Sequence, residues 1–186
     1  MSNYRFENNT FMIDNYDQVA PFSSFLPGIA GVKGIPLWCF YTNRGQGVNS
    51  FGVHDKSHAI MEFNPAVTAY ENTPVKGFRT FIKVNGKVYE PFVGYDDNHE
   101  RVFNITENCL WIEDTNKETG IKVQVKYFLM PCESYGALVR NVTVTNTTGA
   151  DVNVEVLDGI AKLIPSGISN GLFKEMSNLM RSWTDL

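Results

Sequence analysis

The chain has 186 residues, 43% of them hydrophobic and 19% charged, with a net charge of −4 at neutral pH. This composition is typical of a folded domain and excludes an intrinsically disordered chain. Neither a basic run nor an apolar stretch of about 18 residues is present, so we expect no nucleic acid and no membrane among its partners.

The first half of the chain predicts short strands separated by turns. Strand candidates lie at 5–13, 34–41 and 59–63, and residues 22–34, which are rich in Gly and Pro, predict a loop. The clearest local signal is Asn85-Gly86 between two runs of β-branched and aromatic residues, because this dipeptide is typical of a two-residue type I′ hairpin.

The second half shows alternating side chains. Residues 121–127, 142–145 and 152–156 each place apolar and polar residues in turn. In a strand, this alternation puts one face on a core and the other in water. Many short strands with turn signals between them predict a mainly β chain folded as an antiparallel β-sandwich, which we place at residues 1–168.

The last residues have a different pattern. Leu172, Met176, Leu179 and Trp183 recur at the spacing of one face of a helix. We therefore predict an amphipathic helix over 169–186 and interpret it as the start of a truncated region or as a linker, since an isolated helix of this length needs a surface to lie on.

The cysteines indicate a compartment. Cys39, Cys109 and Cys132 are odd in number and have no C-x-x-C spacing. Reduced cysteines that behave as small apolar residues are typical of reducing compartments, so we expect a cytoplasmic protein. The N-terminus also lacks the basic and apolar regions of a signal peptide.

Common catalytic and metal-binding motifs are missing from the sequence. His54 and His58 are four residues apart, but the residues around them do not predict a helix and offer no third ligand. Asp96, Asp97 and Glu100 are interpreted as a solvated acidic turn rather than as the paired carboxylates of a glycosidase. We predict no catalytic residue, no metal and no cofactor.

One polar segment is a candidate binding site. Asn43, Arg44, Gln46 and Asn49 lie within ten residues that also contain two glycines. Amides and a guanidinium on a loop are suited to hydroxyl or phosphate groups, and functional groups concentrate on loops. We predict a substrate-binding rim loop here, with a polar hairpin connection as the alternative; the segment does not decide between them.

Several segments resemble the N-terminal region of cellobiose-phosphorylase-like proteins, and look closest to the branch that acts on β-1,3-glucan oligosaccharides. The stretch Gly34-Ile35-Pro36-Leu37-Trp38-Cys39-Phe40-Tyr41-Thr42-Asn43-Arg44-Gly45-Gln46-Gly47 carries much of this resemblance. The other segments are 25–28, 127–133, 136–146 and 156–159. Residues 43–49 replace the glycine- and aromatic-rich segment of true cellobiose phosphorylases.

The resemblance implies a galactose-mutarotase-like supersandwich that precedes an (α/α)6 barrel. Such enzymes cleave a β-glucosidic bond with inorganic phosphate as co-substrate, invert the anomeric centre and release glucose 1-phosphate. The general acid lies in the barrel, so this chain is expected to be inactive alone. It would support binding of a β-glucan oligosaccharide and formation of a homodimer.

The alternative is a stand-alone carbohydrate-binding or structural β-sandwich module. The aromatic content of 13%, including Trp38, Trp111 and Trp183, motivates this interpretation. Only surface aromatics arranged in a row would support sugar binding, because aromatic residues also fill sheet cores.

Overall fold

The computed structural model describes residues 3–94, 96–163, 169–176, 179 and 182 of the chain. These residues form mainly antiparallel β-structure. In chain order the strands are β1 (Tyr4–Glu7), β2 (Thr10–Asp14), β3 (Ser23–Leu26), β4 (Ile29–Ala30), β5 (Ile35–Thr42), β6 (Val48–Val53), β7 (Ala59–Met61), β8 (Phe78–Val84), β9 (Lys87–Tyr89), β10 (His99–Ile105), β11 (Cys109–Asn116), β12 (Ile121–Leu129), β13 (Leu138–Asn146) and β14 (Val154–Ile160). The helices are α1 (Ala66–Lys76) and α2 (Asn170–Glu175), and a 3₁₀ turn covers Lys56–His58.

The strands of the described residues form three sheets. The six-stranded sheet has the order β1-β2-β10-β11-β12-β13, and the three-stranded sheet has the order β14-β8-β9. In the five-stranded sheet the order is β3-β5-β6-β7, with β4 also pairing with β5. Buried side chains from all three sheets, among them Ile13, Phe103, Ile82 and Val48, share one large hydrophobic cluster, and Ala30, Leu37 and Leu129 form a second, smaller one. The inner faces of all three sheets therefore stabilise one another by burying a shared apolar surface.

The alternating sequences form strands whose two faces differ. In β12 the residues Ile121, Val123, Val125 and Tyr127 are buried, while the residues between them are half-buried or exposed. The Asn85-Gly86 hairpin is also present, joining β8 to β9. Both residues have positive φ angles, 48° and 90°, as a type I′ turn requires.

Two predictions in the first half were wrong in detail. The single strand predicted at 5–13 is two strands, β1 and β2, because Asn8 and Asn9 adopt φ angles of 48° and 61° and reverse the chain. The loop predicted at 22–34 contains β3 and β4, which both pair with β5. The helix α1 was not predicted, and it contains Pro74.

The region of the predicted C-terminal helix contains a short helix in the described residues. The described residues form the six-residue helix α2, which Ser169 caps by accepting a hydrogen bond from the Leu172 amide. Trp183, which completes the predicted apolar stripe, lies outside the described residues, as do residues 164–168 at the predicted boundary. An amphipathic helix over 169–186 stays a prediction. In the described part of the chain, neither helix has the length and apolar character needed to span a bilayer.

Candidate functional site: the β5–β6 loop and its polar contacts

The predicted rim residues lie on the connection from β5 to β6 and at the start of β6. Asn43, Gln46 and Asn49 are 0%, 2% and 2% exposed, and Arg44 is half-buried. Gly45 and Gly47 have positive φ angles, which lets the chain turn sharply between the two strands. The four residues lie close together because they are neighbours in the chain, and their side chains hydrogen-bond to other parts of the protein. Sugar binding by these residues stays a prediction.

Asn43 holds the segment between β2 and β3 against this loop. Its Oδ1 accepts a hydrogen bond from the Phe22 amide at 2.9 Å. Its Nδ2 donates to the carbonyls of Tyr16 and Ala20, each at 3.0 Å. The carboxamide therefore hydrogen-bonds to three backbone groups of this segment and fixes it against the loop.

Arg44 and Tyr16 reinforce the same contact. Arg44 donates to the carbonyls of Asn43 and Val19 at 2.7 and 3.1 Å. Tyr16, which is completely buried, donates from its phenol to the carbonyl of Gly45. Burial raises the pKa of the Tyr16 phenol, so it remains a neutral hydrogen-bond donor.

Gln46 belongs to a polar network that joins the sheets. Its Nε2 donates to Thr80 Oγ1 on β8 at 2.8 Å, and its Oε1 accepts from Arg140 Nη2 on β13 at 2.6 Å. Arg140 also donates through both Nη atoms to Asp158 on β14, at 2.5 and 2.7 Å. The guanidinium lies 4.8 Å from the centre of the Phe78 ring. One arginine thus links the six-stranded and three-stranded sheets to the β5–β6 loop.

The Asp158 carboxyl in this network is held in its ionised form. Partial burial alone would raise its pKa, but hydrogen bonds from Arg140 and Thr80 outweigh burial and hold the pKa below its ordinary value. A carboxylate that accepts a bidentate fork from arginine is a strong acceptor and a poor proton donor.

A buried ionic cluster around Arg101 and Asp114 was not predicted from the sequence. Arg101 on β10 lies opposite Asp114 on β11, and its Nε donates to Asp114 at 2.8 Å. Asp114 also accepts from the Phe92 amide at 2.7 Å and contacts His99 Nδ1 at 2.5 Å. Burial alone would raise the pKa of Asp114, but the hydrogen bonds from His99 and Phe92 and the charge of Arg101 lower it.

A sequence signal for this cluster does exist. Arg101 is two residues from Phe103 in β10, and Asp114 is two residues from Ile112 in β11. Since side chains alternate between the two faces of a strand, both charged residues lie on the face that carries core residues. A charged residue at a core position of each of two neighbouring strands indicates a buried ion pair.

Asn49 differs from the other predicted residues because half of its carboxamide has no partner. Its Nδ2 donates to Thr73 Oγ1 on α1 at 3.2 Å. Its Oδ1 is buried and has no hydrogen-bond partner among the described residues. Asn49 lines a cleft of about 240 Å³ between β6, β7, α1 and the residues that follow β14.

His54, His58 and the acidic turn lie at the surface. Asp55 and His58 form an exposed pair at 2.9 Å, in which both side chains are 62% exposed. Within the described residues, no three His, Cys, Asp or Glu side chains are placed to hold a metal ion. Asp96, Asp97 and Glu100 are exposed, as a solvated turn would be.

Comparison with protein-family models and with curated proteins finds no match to this chain.

Proposed function

We propose that this chain is the N-terminal β-sandwich of an inverting glycoside phosphorylase, of the galactose-mutarotase-like supersandwich type, acting on β-glucan oligosaccharides. In this proposal the domain supports substrate binding and homodimer formation, and an (α/α)6 barrel performs the reaction. The resemblance of segments 34–47 and 136–146 supports it, as do the antiparallel sheets that share one core.

The observation that carries the non-catalytic role is the state of two carboxyls, the buried Asp114 and the partly buried Asp158 side chain. In the reaction, phosphate attacks the anomeric carbon while a carboxylic acid protonates the leaving glycosidic oxygen, and such an acid needs a raised pKa. Asp114 and Asp158 instead have lowered pKa values, and each accepts hydrogen bonds from an arginine, the buried Arg101 and the half-buried Arg140. Both are suited to tying strands together, so the proposal assigns the proton donor to the barrel.

The cysteines support a cytoplasmic location within the same proposal. Cys39 and Cys109 are buried, Cys132 is exposed, and all three are free thiols. Burial raises the pKa of the Cys39 thiol, which makes it unreactive, as expected for a core residue.

The test is an assay of phosphorolysis with the chain alone and with a barrel supplied in trans. We expect residues 1–186 to release no glucose 1-phosphate from laminaribiose or cellobiose with inorganic phosphate. We expect the chain to co-elute with a separately expressed (α/α)6 barrel of a β-1,3-glucan phosphorylase in size-exclusion chromatography. Phosphorolysis by the chain alone, or failure to associate with the barrel, would overturn the proposal.

A second candidate function is a stand-alone carbohydrate-binding module, and one surface favours it. Tyr4, Phe6 and Phe11 on the β1–β2 hairpin are 46%, 69% and 38% exposed. Phe6 lies directly opposite Phe11, and the Tyr4 and Phe11 rings stack with centres 6.0 Å apart. The three rings therefore share one face, where sugar C–H groups could pack. Calorimetry with laminarin oligosaccharides tests it: binding that Phe6→Ala abolishes supports the module, and binding that this variant leaves intact excludes this surface.

A further inference from the structure

The strand β14 forms one edge of the three-stranded sheet. Among the described residues it pairs with β8 alone, over seven residues and without a break in register. Val156 on its inner face, which is turned to the core, and Leu157 on its outer face are 48% and 70% exposed. Edge strands are usually protected by shortness, proline, a bulge or lysine, and β14 has none of these. Such an edge is suited to pairing with another strand.

The backbone groups that β14 presents at its free edge follow from its pairing with β8. The Asn85 amide donates to the Asn153 carbonyl at 3.1 Å, so the backbone groups of Asn153 face β8. In an antiparallel pair, residues whose backbone groups face the neighbouring strand alternate with residues whose groups face away. Every second residue of β14 therefore offers its N–H and C=O to an added strand; these residues are Val154, Val156, Asp158 and Ile160.

The outer face of the same sheet carries an apolar surface that reaches this edge. Leu157 lies opposite Phe81 on β8, and Val88 on β9 is 63% exposed. A groove of about 410 Å³ runs over these three residues, and the ion pair of Lys83 with Glu155 borders it. The free edge therefore lies next to exposed apolar side chains rather than next to a fully polar surface.

We propose that β14 pairs with β14 of a second copy of this chain, antiparallel and about a twofold axis at Leu157. The two three-stranded sheets then form one continuous sheet. A twofold axis brings the same surface of both copies together, so the strand must be complementary to itself. The expectation of a homodimer rests on the proposed function, whereas the choice of β14 rests on its edge and its register.

The charges and the length of β14 select one register. With Leu157 opposite Leu157 of the partner subunit, all seven residues pair, and Glu155 lies opposite Gly159 of the partner subunit. A shift of two residues in one direction places Asp158 opposite Asp158 of the partner subunit, and like charges directly opposite are destabilising. A shift of two residues in the other direction shortens the paired segment. A shift of one residue moves inner side chains to the outer face.

The same register covers apolar side chains on the inner face. Val154 and Val156 line a groove of about 480 Å³ between β14 and β13. In the proposed dimer Val154 lies opposite Ile160 of the partner subunit, and Val156 lies opposite Asp158 of the partner subunit. Asp158 keeps its ion pair with Arg140 of its own chain, so its charge is balanced. Pairing therefore adds apolar contact on both faces of the strand.

The other long strand with a free edge is less suited to association. Among the described residues β13 pairs with β12 alone. Its fully exposed side chains are polar: Asn141, Thr143, Thr145 and Asn146. An added strand there gains backbone hydrogen bonds but little apolar contact, so β14 is the favoured edge.

The experiment is analytical ultracentrifugation of residues 1–186 over a range of concentrations. We expect a dimer with a dissociation constant on the order of 10 μM, as for a small interface. Leu157→Lys places two like charges together at the axis and should weaken the dimer by about tenfold or more. Val88→Lys makes the same change at a comparably exposed position on the same face, away from the axis, and should leave the dimer unchanged.

A charge exchange tests the position of the axis. A Leu157→Lys chain mixed with a Leu157→Glu chain should form a heterodimer, because opposite charges then face each other across the axis, while each variant alone stays largely monomeric. These side chains are exposed, so both variants are expected to fold.

Proline substitutions test the edge itself. Val156→Pro removes an N–H that faces the free edge and leaves the hydrogen bonds to β8 in place, so it should prevent the dimer. Val144→Pro is the matched change on β13: the Thr147 amide donates to the Gly120 carbonyl, so by the same alternation the Val144 N–H faces away from β12. It should leave the dimer unchanged.

The outcomes separate this interface from the phosphorylase assignment. A monomer at concentrations well above the expected constant, unchanged dimer strength in Leu157→Lys, or no heterodimer in the mixture would each refute the β14 interface. Loss of the dimer in Val144→Pro but not in Val156→Pro would assign the interface to β13 and also refute it. If the chain associates with the barrel and only the β14 tests fail, the supporting role stands. If the β14 dimer forms and no barrel associates, the interface stands and the phosphorylase assignment fails.

Discussion

Replacing Arg101 tests whether the buried ionic cluster stabilises the fold. The side chains of Arg101 and Asp114 are 4% and 1% exposed. Arg101 also donates to Asp17 at 2.7 Å and to the carbonyls of Gly94 and Val93. Arg101→Met keeps an apolar stem of similar length but removes every donor, which leaves Asp114 buried without its cationic partner.

The expected loss follows from the cost of an uncompensated buried charge. Removing one partner of a buried pair costs about 3–5 kcal/mol of the free energy of unfolding. In a domain of this size each kcal/mol lowers the melting temperature by about 2–4 °C, so we expect a decrease of about 6–20 °C. Urea unfolding followed by circular dichroism measures the free energy directly.

A matched surface pair provides the control. Arg5 donates to Asp14 at 2.8 Å, a comparable distance, but the two side chains are 35% and 37% exposed. The contact is bidentate, but solvent screens both side chains, so Arg5→Met should cost at most about 1 kcal/mol. The double variant Arg101→Met with Asp114→Leu should recover part of the loss, because it removes the unpaired Asp114 carboxylate but still leaves Asp17 and the Phe92 amide without these partners. A loss in Arg101→Met no larger than in Arg5→Met would refute the reasoning.

Three further predictions concern acid, the inter-sheet network and a strained glycine. Asp114 and Asp158 have lowered pKa values in the folded chain. Their contribution to the free energy of unfolding is therefore complete above the unfolded pKa of about 3.9 and is lost as pH falls below it. Urea midpoints measured from pH 6 to pH 2 should decline from about pH 4 downward. Arg140→Met removes the bidentate donor to Asp158 and should cost about 1–3 kcal/mol by urea unfolding, less than Arg101→Met; equal losses would contradict the burial argument. Gly45→Ala places a Cβ 2.8 Å from the backbone of α1 at a φ of 51°, so it should lower the melting temperature more than Gly86→Ala, where φ is 90° but nothing lies within 4 Å.

The regular part of the fold could be predicted because local sequence and burial agree there. In β12 the alternation of residues 121–127 coincides with the alternation of buried and exposed side chains. Asn85-Gly86 specifies its own turn, since few other dipeptides adopt two positive φ angles without strain. Neither signal depends on residues far away in the chain.

The elements that were missed depend on contacts distant in sequence. The helix α1 has Pro74 in its last turn and little apolar periodicity, so nothing local indicates a helix. Its position is set by buried contacts instead: Thr73 meets Thr42 on β5 and Asn49 on β6. Tertiary packing here outweighs local propensity.

The candidate site shows the same limit in chemical terms. Amides in a sequence are equally suited to a ligand and to the protein's own backbone, and composition does not distinguish the two. Both ends of the Asn43 carboxamide hydrogen-bond to the segment between β2 and β3. Both ends of the Gln46 carboxamide hydrogen-bond to the side chains of Thr80 and Arg140. Only the hydrogen bonds in the folded structure distinguish these groups, which have partners, from Asn49 Oδ1, which has none among the described residues.

That distinction gives the β5–β6 loop two roles that depend on each other. Gln46 holds the loop against the Arg140–Asp158 pair, and β6 begins immediately afterwards, so the position of Asn49 is set by the same network that joins the sheets. On the other side, Thr73 fixes which end of the Asn49 carboxamide faces α1. An acceptor held from both sides cannot turn to find a partner of its own, so the contacts that join the sheets and α1 leave the buried Asn49 Oδ1 without a hydrogen bond among the described residues.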